Sequence, residues 1–123
     1  MKLHLEQRGV QNTVTGYGEG YIEINRQRYE ASLVLLPDHI AADWVRGGFA
    51  ALEEADLRRL LDFSPELVLL GTGPRQRFPR PALLRPLIEA RVGFEVMDLQ
   101  AACRTFNILV GEGRRVAAAL LFD

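Results

Sequence analysis

The sequence is poor in the residues that build most catalytic and metal centres. It has one cysteine, Cys103, and two histidines, His4 and His39. A lone cysteine excludes an intramolecular disulfide and a cysteine-rich zinc site. The histidines stand far apart and make no metal-ligand pair, so no metal is expected. No apolar run approaches the roughly 20 residues a bilayer-spanning helix needs, which speaks against membrane insertion. The opening Met-Lys-Leu-His-Leu-Glu carries an early acidic residue and no apolar core, so it does not read as a secretory signal. A cytoplasmic location is the expectation. Charge of one sign is also lacking: 15 basic against 16 acidic residues leave a net charge of −1, which argues against a general nucleic-acid binder. There is no internal repeat and no low-complexity segment.

What is present fits one globular domain over residues 1–123, with 48% apolar and 25% charged residues. The most informative stretch is Pro65–Pro81. Leu67–Leu70 is a run of four apolar residues, too short for a helix and without alternation. It predicts a strand covered on both faces. Gly71-Thr72-Gly73-Pro74 then predicts a turn, because glycine takes positive φ freely and proline cannot donate to a ladder. In an open α/β sheet, ligands bind outside the carboxyl ends of strands, so this turn lies where a site would be.

Before it, Leu3 and Leu5 suggest a short edge strand, and Gly9–Gly20 reads as a loop or irregular hairpin. Tyr21–Ile24 alternates, Asn25-Arg26-Gln27 predicts a turn, and Arg28–Leu36 returns as a second strand. Together they form an antiparallel hairpin. Another short strand is expected around Asp43–Val45. Glu53–Asp62 has Leu57, Leu60 and Leu61 on one helical face and pairs Glu54 with Arg58. After the arginine loop, Ala82–Arg91 predicts a helix with Leu84, Leu87 and Ile88 as its stripe. Phe94–Met97 predicts a strand. Asp98 is a good N-cap for a helix whose stripe is Leu99, Ala102, Cys103, Phe106 and Val110. Val116–Phe122 is the last strand, placed centrally because Ala117–Ala119 would let a helix approach closely. Strand, helix, strand, helix, strand in the second half argues an α/β fold with crossovers around a mixed sheet.

Four segments together resemble a known family. They are Val68–Gly73, Met97-Asp98, Ala102–Asn107 and Glu112–Leu120, in that order and spacing. They resemble the Mth-type domain-of-unknown-function family, which includes a mitochondrial respiratory complex I assembly factor. The resemblance is strongest over Leu67–Leu121. It implies a three-layer α/β fold around a mixed β-sheet, with no established enzymatic activity and no cofactor.

Two residue groups are candidates for chemistry. Gly71, Thr72 and Gly73 with Arg75, Arg77 and Arg80 could hold a phosphate or carboxylate through backbone N–H groups and guanidiniums. The plain alternative is a tight turn followed by a solvated arginine loop. The spacing is neither a phosphate-binding loop, since no Gly-Lys-Ser/Thr follows, nor the dinucleotide fingerprint, since no third glycine follows. Asp98, Cys103, Arg104 and Asn107 could line a cleft. Against that, Asp98 suits a helix cap, and Cys103 lies where a small hydrophobe is expected. Trp44 and Phe49 are either an interface anchor or core. No catalytic residue is assigned. The expected function is a non-enzymatic protein-interaction or assembly-factor-like module, acting on an unknown protein partner or as a homo-oligomer. The alternative is a binder of, or enzyme acting on, a small anionic ligand at the Gly71–Arg80 loop.

Overall fold

The computed structural model describes residues 11–123. Its organising element is a strand pair buried along almost its whole length. Strands β6 (Leu67–Thr72) and β8 (Val116–Leu121) run parallel, and all six residues of β8 are buried. They sit in a five-stranded sheet of order β5–β4–β8–β6–β7, where β4 is Leu33–Leu36, β5 His39–Ala42 and β7 Gly93–Met97. β7 is parallel to β6, whereas β4 is antiparallel to both β8 and β5. The sheet is therefore mixed, and β8 lies at its centre as its alanines predict.

Strand pleating sends alternate residues to opposite faces, and here each set finds a different core. Leu33, Leu35, Leu69, Val116, Ala118 and Leu120 pack on one side. Val34, Leu36, Val68, Leu70, Ala117, Ala119 and Leu121 pack on the other. The second face is covered by helix α1 (Glu54–Arg59), continued by a 3₁₀ turn Leu60–Phe63. Helix α2 (Arg85–Glu89), entered through a 3₁₀ turn Pro81–Leu84, covers the rest. The first face is covered by helix α3 (Leu99–Gly111) and a small antiparallel sheet of β1 (Val14–Gly18), β2 (Tyr21–Ile24) and β3 (Gln27–Tyr29). This is a three-layer α/β fold. Fully burying each leucine or isoleucine contributes about 1.5–3 kcal/mol against leaving it in water.

The second half follows the sequence closely, and α3 buries all five residues of its predicted stripe. The first half differs in three places. β1 is a strand where a loop or irregular hairpin is expected. Its glycines hide it, and at Gly18 the Tyr21 ring lies over the space a side chain would take. The β2–β3 turn holds Asn25 and Arg26 at φ 52° and 71°, the left-handed values that a two-residue hairpin demands. The expected second arm, Arg28–Leu36, is divided between the two sheets. The chain leaves the small sheet at Tyr29 and is pinned at Ser32, whose hydroxyl accepts the Val45 N–H at 2.8 Å. No strand forms at Asp43–Val45; the strand comes earlier, at His39–Ala42, and Asp43 ends it with φ 58°. The suggested Leu3 and Leu5 strand lies outside the described residues.

Two smaller corrections concern β6 and α2. β6 continues through Thr72, so Gly71 is strand, and the turn opens at Gly73 with φ 87°. In α2 the tight entry turn rotates the register. Leu83, Pro86 and Leu87 are buried, while Ile88 is 57% exposed.

Gly71 explains how closely α3 approaches the sheet. A Cβ there would lie 3.0 Å from Leu120 Cδ2 and 3.1 Å from Ala102 Cβ. Gly71→Val overfills this seam and is expected to cost about 1–3 kcal/mol. Urea unfolding checks this: the midpoint should fall with an unchanged slope.

Candidate functional site at the carboxyl edge of the sheet

β6, β7 and β8 point the same way, so their carboxyl ends gather at one rim. A cavity of about 390 Å³ lies there. Its walls are Gly73 and Pro74 after β6, Asp98, Leu99 and Gln100 after β7, and Phe122 after β8. The β1–β2 turn, Gly18-Glu19-Gly20, closes it. A second hollow of about 490 Å³ shares Gly20 and Phe122 and continues past Arg46, Gly47, Gly48 and Asp123.

The Gly71–Arg80 residues divide into three groups. Gly71, Thr72 and Gly73 are buried. The Thr72 hydroxyl donates to the Arg75 carbonyl at 2.7 Å and accepts the Arg77 N–H at 2.9 Å. The Gly73 carbonyl accepts the Leu99 N–H at 2.8 Å, tying the turn to the start of α3. Arg77 donates through Nη2 to the Thr72 carbonyl at 2.8 Å and also to the Asp123 carbonyl. Its guanidinium lies over the Phe49 ring, 4.5 Å from the centroid. It joins the ends of β6 and β8. Arg75 and Arg80 are exposed and in no ion pair among the described residues. None of the three arginines lines the cavity.

The second group is also dispersed. Asp98 lines the cavity and caps α3, its Oδ1 accepting the Ala101 N–H at 2.8 Å. Asn107 donates through Nδ2 to the Val14 carbonyl at 2.8 Å, and its Oδ1 accepts the Val14 N–H at 2.9 Å. It acts as one more strand residue and fastens β1 to α3. Arg104 donates to the Tyr17 hydroxyl at 3.2 Å, which pushes its pKa above the ordinary value. Cys103 has no exposed surface, and burial pushes its thiol up to about 12. Trp44 is core, with its indole N–H donated to the Asp56 carbonyl at 3.1 Å.

The electrostatics of the rim follow. The cavity carries two carboxylates, Glu19 and Asp98. The N–H groups of Leu99, Ala101 and Ala102 at the head of α3 are already bonded within the chain. An anion entering here would meet negative charge and few free donors. Among the described residues no three of His, Cys, Asp and Glu gather as metal ligands. Sequence reasoning missed Gly18, Glu19, Gly20 and Phe122. The Glu19-Gly20 turn was the available signal, but only once Val14–Gly18 is read as a strand.

Such a domain, with parallel strand ends roofed by a small antiparallel sheet, belongs to a defined class of three-layer α/β domains. Residues 14–121 match the family described as protein of unknown function (DUF498/DUF598), and the chain belongs to that family. Over 110 residues it is 31% identical to bovine NADH dehydrogenase [ubiquinone] 1 alpha subcomplex assembly factor 3, covering 88% of this chain and 59% of that protein. The chain thus spans about three-fifths of that relative's length. A crystal structure of a Bordetella parapertussis protein superimposes with a TM-score of 0.86 at 44% identity, covering 93% of this chain and 98% of that one. A Bordetella pertussis protein described as a Mth938-like domain gives a TM-score of 0.78 at 37% identity, covering 89% and 85%.

Asn107→Ala leaves both Val14 backbone groups without their partner and is expected to cost about 1–3 kcal/mol. Amide exchange across Val14–Gly18 should accelerate by more than that of β6. The raised Cys103 pKa has a sign that can be checked. Above the ordinary value of 9.0 the unfolded thiol loses its proton while the folded one keeps it up to about 12. Stability should therefore fall as pH rises across that window, and Cys103→Ala should flatten the fall. At neutral pH the thiol should resist labelling until the chain is unfolded.

Proposed function

We propose that this chain is a non-enzymatic protein-interaction module of the assembly-factor kind, acting in the cytoplasm. One observation carries the reading. Four of the candidate polar side chains are taken up by the chain's own backbone: Thr72 by Arg75 and Arg77, Arg77 by Thr72 and Asp123, Asn107 by Val14. Asp98 accepts from Ala101. Groups committed to holding the fold are poorly placed to exchange protons with a substrate. What remains available is the outer surface, with Glu19 and Gln100 at the cavity. Kinship with a protein named as an assembly factor supports the same reading.

The test is quantitative cross-linking of the tagged full chain in its own cells, followed by identification of what is joined to it. The expected result is one recurring protein partner at near-stoichiometric yield. Recovery of the chain alone, or only of a second copy of itself, overturns the reading.

The exposed, unpaired Arg75 and Arg80 favour a second reading, a small anionic ligand on the Gly71–Arg80 loop. A ligand at a hundredfold over its Kd would add about 2.7 kcal/mol of stability. A thermal-shift screen of phosphate, nucleotides and carboxylates is expected to show no such gain. A gain abolished by Arg75→Ala with Arg80→Ala would instead establish the second reading.

A further inference from the structure

The surface from Pro74 to Arg91 differs from the rest of the molecule in three ways. Its sequence is basic in a chain of net charge −1: outside the inward-turned Arg77 it carries Arg75, Arg80, Arg85 and Arg91 against Glu89, and the carboxylates of the neighbouring α1, Glu54 and Asp56, are held by Arg58 and Arg59. Elsewhere, five of the eight described arginines, Arg28, Arg58, Arg59, Arg114 and Arg115, pair with a carboxylate, and Arg26, Arg46 and Arg104 do not. No arginine of Pro74–Arg91 is in an ion pair among the described residues. Large apolar side chains also stand in water here. Phe78 is 70% exposed and Ile88 57%, two of the three large exposed hydrophobics among the described residues. Arg85, Ile88 and Arg91 follow at intervals of three, so the helical turn of α2 presents Arg85 and Ile88 on one side.

The third difference is rigidity. Four of the six prolines of the chain, Pro74, Pro79, Pro81 and Pro86, fall in this stretch. Thr72 bonds the loop at two points, and Gln76 donates to the Val96 carbonyl at 2.8 Å. Ordering a loop on binding costs affinity, and a loop already held avoids that cost. The Gln76 bond also occupies a carbonyl of the edge strand β7, which disfavours strand addition there. A partner would have to engage side chains.

We propose that this surface docks an acidic, amphipathic segment of a partner protein. Its carboxylates would pair with Arg75, Arg80, Arg85 and Arg91, and its apolar face would cover Phe78 and Ile88. The inference rests on the interaction-module reading and assigns the face that reading leaves open. Guanidiniums match carboxylates in planar two-point pairing, and aromatic and arginine side chains dominate interface energetics. A lipid surface or a nucleic acid would be drawn by positive charge alone, and the near-neutral chain offers neither a long-range attraction.

The test titrates the isotope-labelled full chain with a synthetic amphipathic helix bearing leucine on one face and glutamate on the other. A matched helix with glutamine in place of glutamate is the control. Chemical-shift changes are expected within Arg75–Arg91, with affinity reduced at least about tenfold for the glutamine helix. The exposed-site variants Phe78→Ser with Ile88→Ser, and Arg80→Glu with Arg85→Glu, should each lose binding to a similar degree while keeping the wild-type melting temperature. The proposal is overturned by shifts lying elsewhere, by no shifts, or by equal binding of the glutamine helix. Tighter binding to phosphatidylglycerol vesicles or single-stranded DNA also overturns it. The same variants separate this proposal from the broader one. If the cross-linked partner persists undiminished in both, the docking face is wrong and the interaction module stands. If the wild-type chain yields no partner, the broader reading fails first.

Discussion

Burial of both sides of β8 is the constraint from which the rest follows. Six consecutive apolar residues cannot alternate between core and water, so each face of the strand needs its own cover. Parallel pairing with β6 requires crossovers, and those put helices on the faces. α1 and α2 take one side. The other side is divided between α3 and the small sheet, which brings Ile22 and Ile24 over the same core as Phe106. Small residues then set the distance between layers. Gly71, Ala102 and Ala118 let α3 settle close to the strands, with a single glycine marking the tightest point.

The legible parts of the sequence are those where one local signal dominates. Leu67–Leu70 is bounded by breakers and has no alternation. The Leu99–Val110 stripe spans three helical turns and begins at a capping aspartate. Both were fully specified by neighbours in sequence. The first half resists because its order comes from distant partners. Val14–Gly18 is strand because it pairs with β2 across an irregular register, and Asn107, far along the chain, fastens its Val14 end. The break at Ser32 depends on Val45, and no propensity marks it. The register of α2 turned on a 3₁₀ entry rather than on periodicity, which moved Ile88 from the expected core to the surface.

The candidate residues show the same split. Gly73 and Asp98 could be placed near the rim from the strand ends alone, and both line its cavity. Glu19 could not, because the roof comes from the opposite end of the described chain, whereas Phe122 follows the carboxyl end of β8. The arginines were recognised as a cluster, but their division of labour depends on geometry. Arg77 is turned inward onto two carbonyls and the Phe49 ring, while Arg75 and Arg80 are exposed and do not line the cavity. Polar side chains in this molecule mostly substitute for secondary structure.

Asn107 illustrates what such substitution means for motion. Its amide group, rather than a ladder to the larger sheet, bonds the Val14 backbone of β1 to α3. Asn12 supplies a second tether, donating through its side chain to the Leu36 carbonyl at 2.8 Å and bonding Asn25 at the same distance. Beneath these tethers Val14, Ile22 and Ile24 are buried in one core with Phe106, so the small sheet opens as a cooperative unit rather than residue by residue. The three short strands should therefore exchange their amides as one unit, and only when the core they share with α3 opens as well.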